Sequence, residues 1–287
     1  MVDLPKLVDG MHGLGDNIYQ RAFVSQLEGD VYIKTPWPDI YSDLPVMPVR
    51  THSKLRTQKK NETLRRGDYY DAPEFFQRFR IGYGDRELSK GSIIDAMKYQ
   101  FGVYRPVFDL PLFPLSPREI ERPFALIRPV TVRSEWRSDS RNPDPRYVFA
   151  ASAELMKHFY VISVADLMPG AEWLVGVPPP AHCRYHHGEL SISELLALVR
   201  YASVVITPVG WAVPAAIAYH TPLFVIAGGR GGHNAPSVIT SAEMDLSRVG
   251  WGVPDNYCMC KQWDHDCDKN ISYFPRRFKE WLNAVVL

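Results

Sequence analysis

The features that would mark a secreted or membrane protein are scarce in this sequence. No apolar run approaches the ~18–20 residues that a membrane span needs, and the N-terminus lacks a secretory pattern. With 4 cysteines in 287 residues there is no disulfide framework, so a reducing cytoplasm is the expected setting, without integral membrane contact. Neither sign of charge dominates: a net charge of +1 excludes a globally basic protein and leaves only local segregation. A dinucleotide fingerprint is absent too. The glycines of the first loop, Gly10, Gly13 and Gly15, do not follow the G-x-G-x-x-G order, and no acidic residue closes a strand ~20 residues on.

What remains is ordinary globular material with many corners. Hydrophobic residues at 46% and charged residues at 23% suffice for a core without staples. The length suits two domains of roughly 130–150 residues each. The 24 prolines mark loop corners, and aromatics at 12% suit a large ligand cleft.

Both halves alternate strand and helix. Leu7-Val8 ends a buried strand, and Ile18, Ala22, Phe23 and Leu27 then recur at helical spacing. Strands follow at 31–35 and 46–49, with a short helix at 39–44 between them. The segment 50–66 is strongly polar, 92–101 is helical, and the proline-rich stretch 106–123 is the connection between domains. In the second half, strands at 124–127, 160–164, 173–177, 204–206 and 223–226 alternate with helices at 147–159, after a Ser191/Glu194 capping box, and after Gly210. A final helix spans 274–286. This grammar predicts parallel sheets joined by right-handed crossovers. The expected architecture is α/β: two Rossmann-like domains, 1–122 and 123–272, facing a central cleft at the carboxyl ends of both sheets, with 273–287 as a C-terminal helix packing back on the first domain.

Several short pieces carry a family resemblance. Gly15-Asp16 opens the first helix, 195–206 leads into the Gly210 loop, and 222–229 gives a strand plus glycine loop. Together they resemble the GT-B glycosyltransferases, most of all the heptosyltransferase-like group (glycosyltransferase family 9 type). Where that group carries Asp-Thr-Gly and a nearby His, this chain has 208–214, Pro-Val-Gly-Trp-Ala-Val-Pro. The resemblance implies an inverting, metal-independent transferase. Its donor would be a nucleotide-diphosphate sugar such as a UDP-sugar, with no cofactor required. It also implies that Asp16 is the general base on the acceptor hydroxyl and that the N-terminal domain binds the acceptor.

Read from the residues alone, Asp16 is more readily an ordinary helix N-cap, and the resemblance sets the two readings level. An inverting transfer needs one such carboxylate, not the pair of a glycosidase. His12 in the same loop is a second base candidate, since its ordinary pKa is near 6.5. For the donor, Arg133, Arg137 and Arg141 follow the first strand of the second domain. Thr207, Gly210, Gly228, Gly229, Gly231 and Gly232 lie in loops at the same sheet edge, with His233 and Asn234 beyond them. Glycine amides, helix N-termini and arginines are the groups that hold a diphosphate.

The basic run 50–66 sets seven cations against Glu62 alone. Gly13, Gly15, Lys54, Arg56, Lys59 and Lys60 are taken to meet the acceptor, and the run suits a polyanion: DNA with a hydroxymethylated base, or an anionic surface saccharide. A solvated loop is the competing reading. His186 and His187 are read as surface residues. Cys258, Cys260, His265 and Cys267 could in principle wrap a zinc ion, but C-x-C…H-x-C matches no common ribbon or finger and Cys183 is left over. The expectation is therefore no metal and a packed, reduced cluster. Two other functions share this fold: a sugar-nucleotide 2-epimerase and a non-catalytic nucleic-acid or glycan binder. The sequence leaves the oligomeric state open.

Overall fold

The computed structural model describes residues 4–115, 120 and 123–287. Part of the proline-rich connection, with the expected boundary at 122, lies outside the described residues. The chain divides into two compact units, Met1–Leu112 with Thr240–Met244, and Phe113–Ile239 with Asp245–Leu287.

The first unit contains β1 (Lys6–Asp9), α1 (Leu14–Val24), β2 (Val31–Lys34), β3 (Val46–Val49), α2 (Arg56–Leu64), β4 (Gln77–Arg80), α3 (Asp85–Leu88) and α4 (Ile93–Phe101). Its sheet runs β3-β2-β1-β4, parallel throughout. Leu7, Val8 and Ile33 are buried in the inner strands, and Ile18, Ala22 and Phe23 form the inward stripe of α1. Phe23 stacks on Phe101 of α4 with centroids 5.2 Å apart. A capping box joins Ser92 and Asp95 at the start of α4, and Gly102 ends it in the left-handed region at φ 68. The outer strands are unlike the inner ones. β3 carries Pro48, and β4 reads Gln-Arg-Phe-Arg with Gln77, Arg78 and Arg80 exposed. The lysine-rich half of the basic run is not a loop but α2, whose inner face buries Gln58, Asn61 and Glu62.

The second unit contains β5 (Phe124–Ile127), β6 (Thr131–Arg133), α5 (Pro145–Leu155), β7 (Tyr160–Val164), β8 (Glu172–Leu174), β9 (Cys183–Tyr185), α6 (Ile192–Tyr201), β10 (Val204–Pro208), α7 (Ala212–Ala218), β11 (Leu223–Ile226), α8 (Gly231–Asn234), α9 (Pro236–Ile239), β12 (Val249–Gly252) and α10 (Phe274–Val285). Its parallel sheet runs β12-β11-β10-β5-β7-β9. The strand expected at 173–177 is instead β8, which pairs antiparallel with β6 in a separate ribbon. The last helix does not leave its own unit. Phe274, Phe278 and Leu282 of α10 sit in one core with Ala125, Val161, Ile206 and Phe224. Phe278 meets Phe224 edge to face at 5.0 Å.

Both sheets reverse their strand order once. In the first unit the chain leaves β1 for β2 and β3 on one side, and β4 returns on the other. In the second it leaves β5 for β7 and β9, then comes back through β10, β11 and β12. In open α/β sheets, ligands bind outside the carboxyl ends of the strands at such a reversal. Two crevices are thereby singled out: β1/β4 and β5/β10.

Candidate functional site

At the β1/β4 reversal the first loop is held almost entirely through its own carbonyls. Asn17 Nδ2 donates to the carbonyls of Met11 (2.8 Å) and Gly13 (2.9 Å), and Gln20 Nε2 to Met11 (2.9 Å). The His12 carbonyl accepts from Trp37 Nε1 (2.8 Å) and Gln58 Nε2 (2.9 Å). The inner face of α2 thus grips the loop, while Glu62 accepts from the backbone N–H of Thr51 (3.0 Å) and Ser53 (3.2 Å). Asp16 is not the N-cap. Gly13 occupies that position without a side-chain bond, and Asp16 stands in the first turn of α1. A side chain at Gly13 would collide with the Asp16 carboxylate. One partner of that carboxylate comes from the loop after β4, the other strand of the reversal: the Tyr83 hydroxyl donates to Asp16 Oδ1. Tyr83 is placed by its neighbour. Gly82 exchanges two hydrogen bonds with the Gln100 side chain of α4, at 2.9 and 2.6 Å, and Ile81 N–H reaches Asp9 O at 3.1 Å. His12 is half-buried, and burial pushes its pKa below the usual histidine range, against the opposing pull of Asp9, Glu62 and Asp16.

At the β5/β10 reversal the decisive side chain is Arg128, the first residue after β5. Its backbone N–H continues the ladder to Ile206 O at 2.9 Å, and its guanidinium lies over Gly210, where any side chain would strike Nη1. Among the described residues, no hydrogen bond or ion pair to that guanidinium is found. Burial, and then the nearby Arg133 and Arg141 guanidiniums, lower its pKa to about 10, with Glu172 opposing. A cation that is hard to keep charged is one that gains most from an arriving anion. Arg133 is tied to Glu172, which is buried, at 2.7 Å.

The glycine run beyond β11 does something else. Side chains at Gly228 or Gly229 would run into the carbonyls of residues 140–142 and into Cys267, and those at Gly231 and Gly232 into residues 257–261. Gly231 N–H is spent on Cys258 O (2.7 Å) and Gly232 N–H on Cys260 O (3.1 Å). These residues are glycines because a second loop lies against them, and those two amides are not offered to a phosphate.

No protein-family model and no curated protein matches the sequence. Solved structures do. The iron-containing dodecameric glycosyltransferase TibC from enterotoxigenic E. coli superposes with a TM-score of 0.64 at 15% identity, over 99% of this chain and 76% of that one. The E. coli ADP-heptose lps heptosyltransferase II gives 0.58 at 14% identity, over 99% and 98%. E. coli heptosyltransferase WaaC with ADP-2-deoxy-2-fluoro heptose gives 0.53 at 9%, over 98% and 99%. The fold is that of the heptosyltransferases. It is the GT-B arrangement, built from two Rossmann-like α/β units.

Within this heptosyltransferase fold the expected donor residues part company. Arg133 and Arg141 do gather around Arg128 and Gly210. Arg137 is exposed and pairs with Asp139 at 2.7 Å. Thr207 is wholly buried and spends its hydroxyl on Pro208 O at 2.7 Å. Asn234 is buried and bonds Arg230 O at 3.0 Å, with the half-buried His233 beside it in α8. Lys54, Lys59 and Lys60 are exposed and Arg56 is half-buried, whereas Arg65 is drawn inward to the buried carboxylate of Asp39. His186 is not a surface residue: it is buried, and its Nε2 lies 2.9 Å from Ser163 Oγ. Sequence reasoning overlooked Arg128 and Tyr83. Arg128 had a signal, its position directly after a buried strand; Tyr83 had none.

Proposed function

We propose that the chain is a glycosyltransferase that moves a sugar from a nucleotide-diphosphate donor to an acceptor hydroxyl with inversion. The observation that supports this reading is Arg128, lying against Gly210 at the sheet reversal with no hydrogen bond or ion pair to its guanidinium among the described residues. The donor diphosphate supplies that anion, with Arg141 and the Glu172-anchored Arg133 beside it. In the transfer, Asp16 accepts the proton of the acceptor hydroxyl as its oxygen bonds to the anomeric carbon. The bond from that carbon to the β-phosphate oxygen breaks, and its electron pair leaves on the nucleotide diphosphate. Arg128 meets that growing charge, the kind of stabilisation that contributes most in a water-poor site. Tyr83 keeps Asp16 aimed, and His12, held neutral by burial, is the nearby reserve base. Neither step calls on a metal.

The donor nucleotide follows from the relatives only in outline. The heptosyltransferase structures are described with ADP-heptose or ADP, so ADP-sugars join UDP-sugars as the donors to try first. For the acceptor, the exposed lysines of 54–60 favour an anionic molecule, such as a saccharide bearing acidic groups or DNA with a hydroxymethylated base. Incubating the protein with ADP-, UDP- and GDP-sugars, with and without such acceptors, tests the reading. Acceptor-dependent release of nucleotide diphosphate, lost in Asp16→Ala, is expected. Sugar-nucleotide isomerisation without acceptor would instead make it an epimerase. Tight binding unaffected by Asp16→Ala, with no turnover, would make it a binder.

A further inference from the structure

We propose that Cys258, Cys260, His265 and Cys267 hold one zinc ion in a closed tetrahedral site that staples the loop after β12 onto the glycine turn after β11. The four ligand atoms lie within 4.8 Å of one another. His265 Nδ1 is 3.5 Å from Cys258 Sγ and 3.3 Å from Cys267 Sγ, and the sulfurs of Cys260 and Cys267 are 3.6 Å apart. A tetrahedron with metal–sulfur bonds of ~2.3 Å and a metal–nitrogen bond of ~2.0 Å has S···S edges of about 3.8 Å and S···N edges of about 3.5 Å. These three edges, at 3.3–3.6 Å, match to within a few tenths of an ångström, and the other three are no longer than 4.8 Å. A disulfide requires ~2.05 Å, and all four cysteines of the chain are free.

The surroundings of the sulfurs fit the same ion. The backbone amides of Gln262, two residues past Cys260, and of Arg230 face Cys260, and that of Arg230 also faces Cys267. Such amides orient thiolate ligands in metal sites. Arg230 adopts the left-handed region at φ 53, uncommon for a residue with a side chain. The ligand set is soft and complete: three thiolates and one imidazole leave no position for a substrate or water, which marks a structural site and disfavours magnesium or calcium.

The fold supplies the need. Between β12 and α10 about 20 residues run without helix or strand, longer than compact domains usually leave unsupported. The same stretch lies against Gly229–Gly232, and its Cys258 and Cys260 carbonyls accept from the Gly231 and Gly232 N–H groups. It also carries Trp263, whose ring receives the Arg230 guanidinium at 3.5 Å and lies tilted against Trp136, with centroids 5.7 Å apart. A zinc ion closes this loop on itself and fixes the turn beneath it.

The test uses the full chain, purified without chelator, and does not involve transferase activity. Elemental analysis is expected to find one zinc per chain, retained in Cys183→Ser and lost in the Cys258→Ser/Cys260→Ser double variant. Because that variant could fail to fold, the wild-type protein is also stripped with a chelator and reloaded with cobalt. The intense visible bands of tetrahedral thiolate cobalt should appear, and the melting temperature should fall on stripping and recover on adding zinc. Zinc content no higher than in a folded double variant, or an octahedral cobalt spectrum, overturns the site. One equivalent of iron in place of zinc overturns the choice of ion.

Discussion

The Tyr83 hydroxyl donates to Oδ1 of Asp16 across 67 positions of the chain. This bond joins the first turn of α1 to the loop after β4, the segments that follow the two strands at which the first sheet reverses, and it gives the carboxylate a fixed aim. Asp16→Ala should lower kcat by about 100- to 10,000-fold, the usual contribution of a positioned base, with donor Kd unchanged. Tyr83→Phe should cost roughly ten-fold, in proportion to one hydrogen bond to a charged group. Steady-state kinetics with titrated donor separate the two. A Tyr83→Phe loss confined to KM would remove its positioning role.

Donor binding should depend on Arg128 and hardly at all on Arg137. Arg128→Gln is expected to weaken nucleotide-diphosphate binding by about 2 kcal/mol, roughly thirty-fold in Kd. Arg137→Gln, an exposed cation paired with Asp139, should stay within about two-fold. Calorimetric titration with ADP and UDP checks both. Gly210→Ala should imitate Arg128→Gln, since the added methyl displaces the guanidinium.

Stability in the first unit should hinge on Arg21. It is fully buried in α1 and bonds Asp43, Asp109 and the Ile40 carbonyl. Arg21→Met should cost about 3 kcal/mol, the low end for breaking a buried pair, because Asp43 and Asp109 are half-exposed and can rehydrate. Urea unfolding followed by circular dichroism would read this as a lower midpoint.

Mild acid should destabilise the chain through two histidines. Burial holds the pKa values of His12 and His186 below the ordinary 6.5, with Arg184 adding to the effect at His186. The unfolded chain therefore binds these protons first. Their stabilisation is intact above about pH 6.5 and is lost as pH falls from there through the folded pKa values. Melting temperatures across pH 8 to 5 should show this decline, and His186→Gln should flatten it.

If the acceptor is a polyanion, its affinity should fall steeply with salt. Replacing Lys54, Lys59 and Lys60 by alanine should reduce the log–log slope by about one per phosphate contact removed. A salt-independent affinity would assign the lysines to solvation alone.

Much of the fold was legible because its inner strands are short apolar runs bounded by turns: Leu7-Val8, 124–127, 204–206 and 223–226 all became strands. The elements that escaped notice are those that tertiary context stabilises. β4 carries two arginines and β12 reads Val-Gly-Trp-Gly, so neither offers an apolar period. The candidate site offered a sequence signal where a residue type suggests chemistry, as at Asp16, and none where it depends on proximity. The glycines at 228–232 invited a phosphate reading, yet the contacts that demand them come from 140–142 and from 257–267, far off along the chain in both directions. The C-x-C…H-x-C spacing matched no familiar pattern, and only folding revealed that its four side chains converge.

The unusual outer strands of the first sheet bear on how copies of this protein meet. An unpaired strand edge is a template for ladder growth between chains, and proteins blunt it with proline or charge. Here Pro48 withholds a donor on one side, where Tyr70 N–H already bonds its carbonyl at 2.8 Å, and Arg78 and Arg80 guard the other. Self-association through this sheet is thereby steered away from strand addition and toward side-chain surfaces.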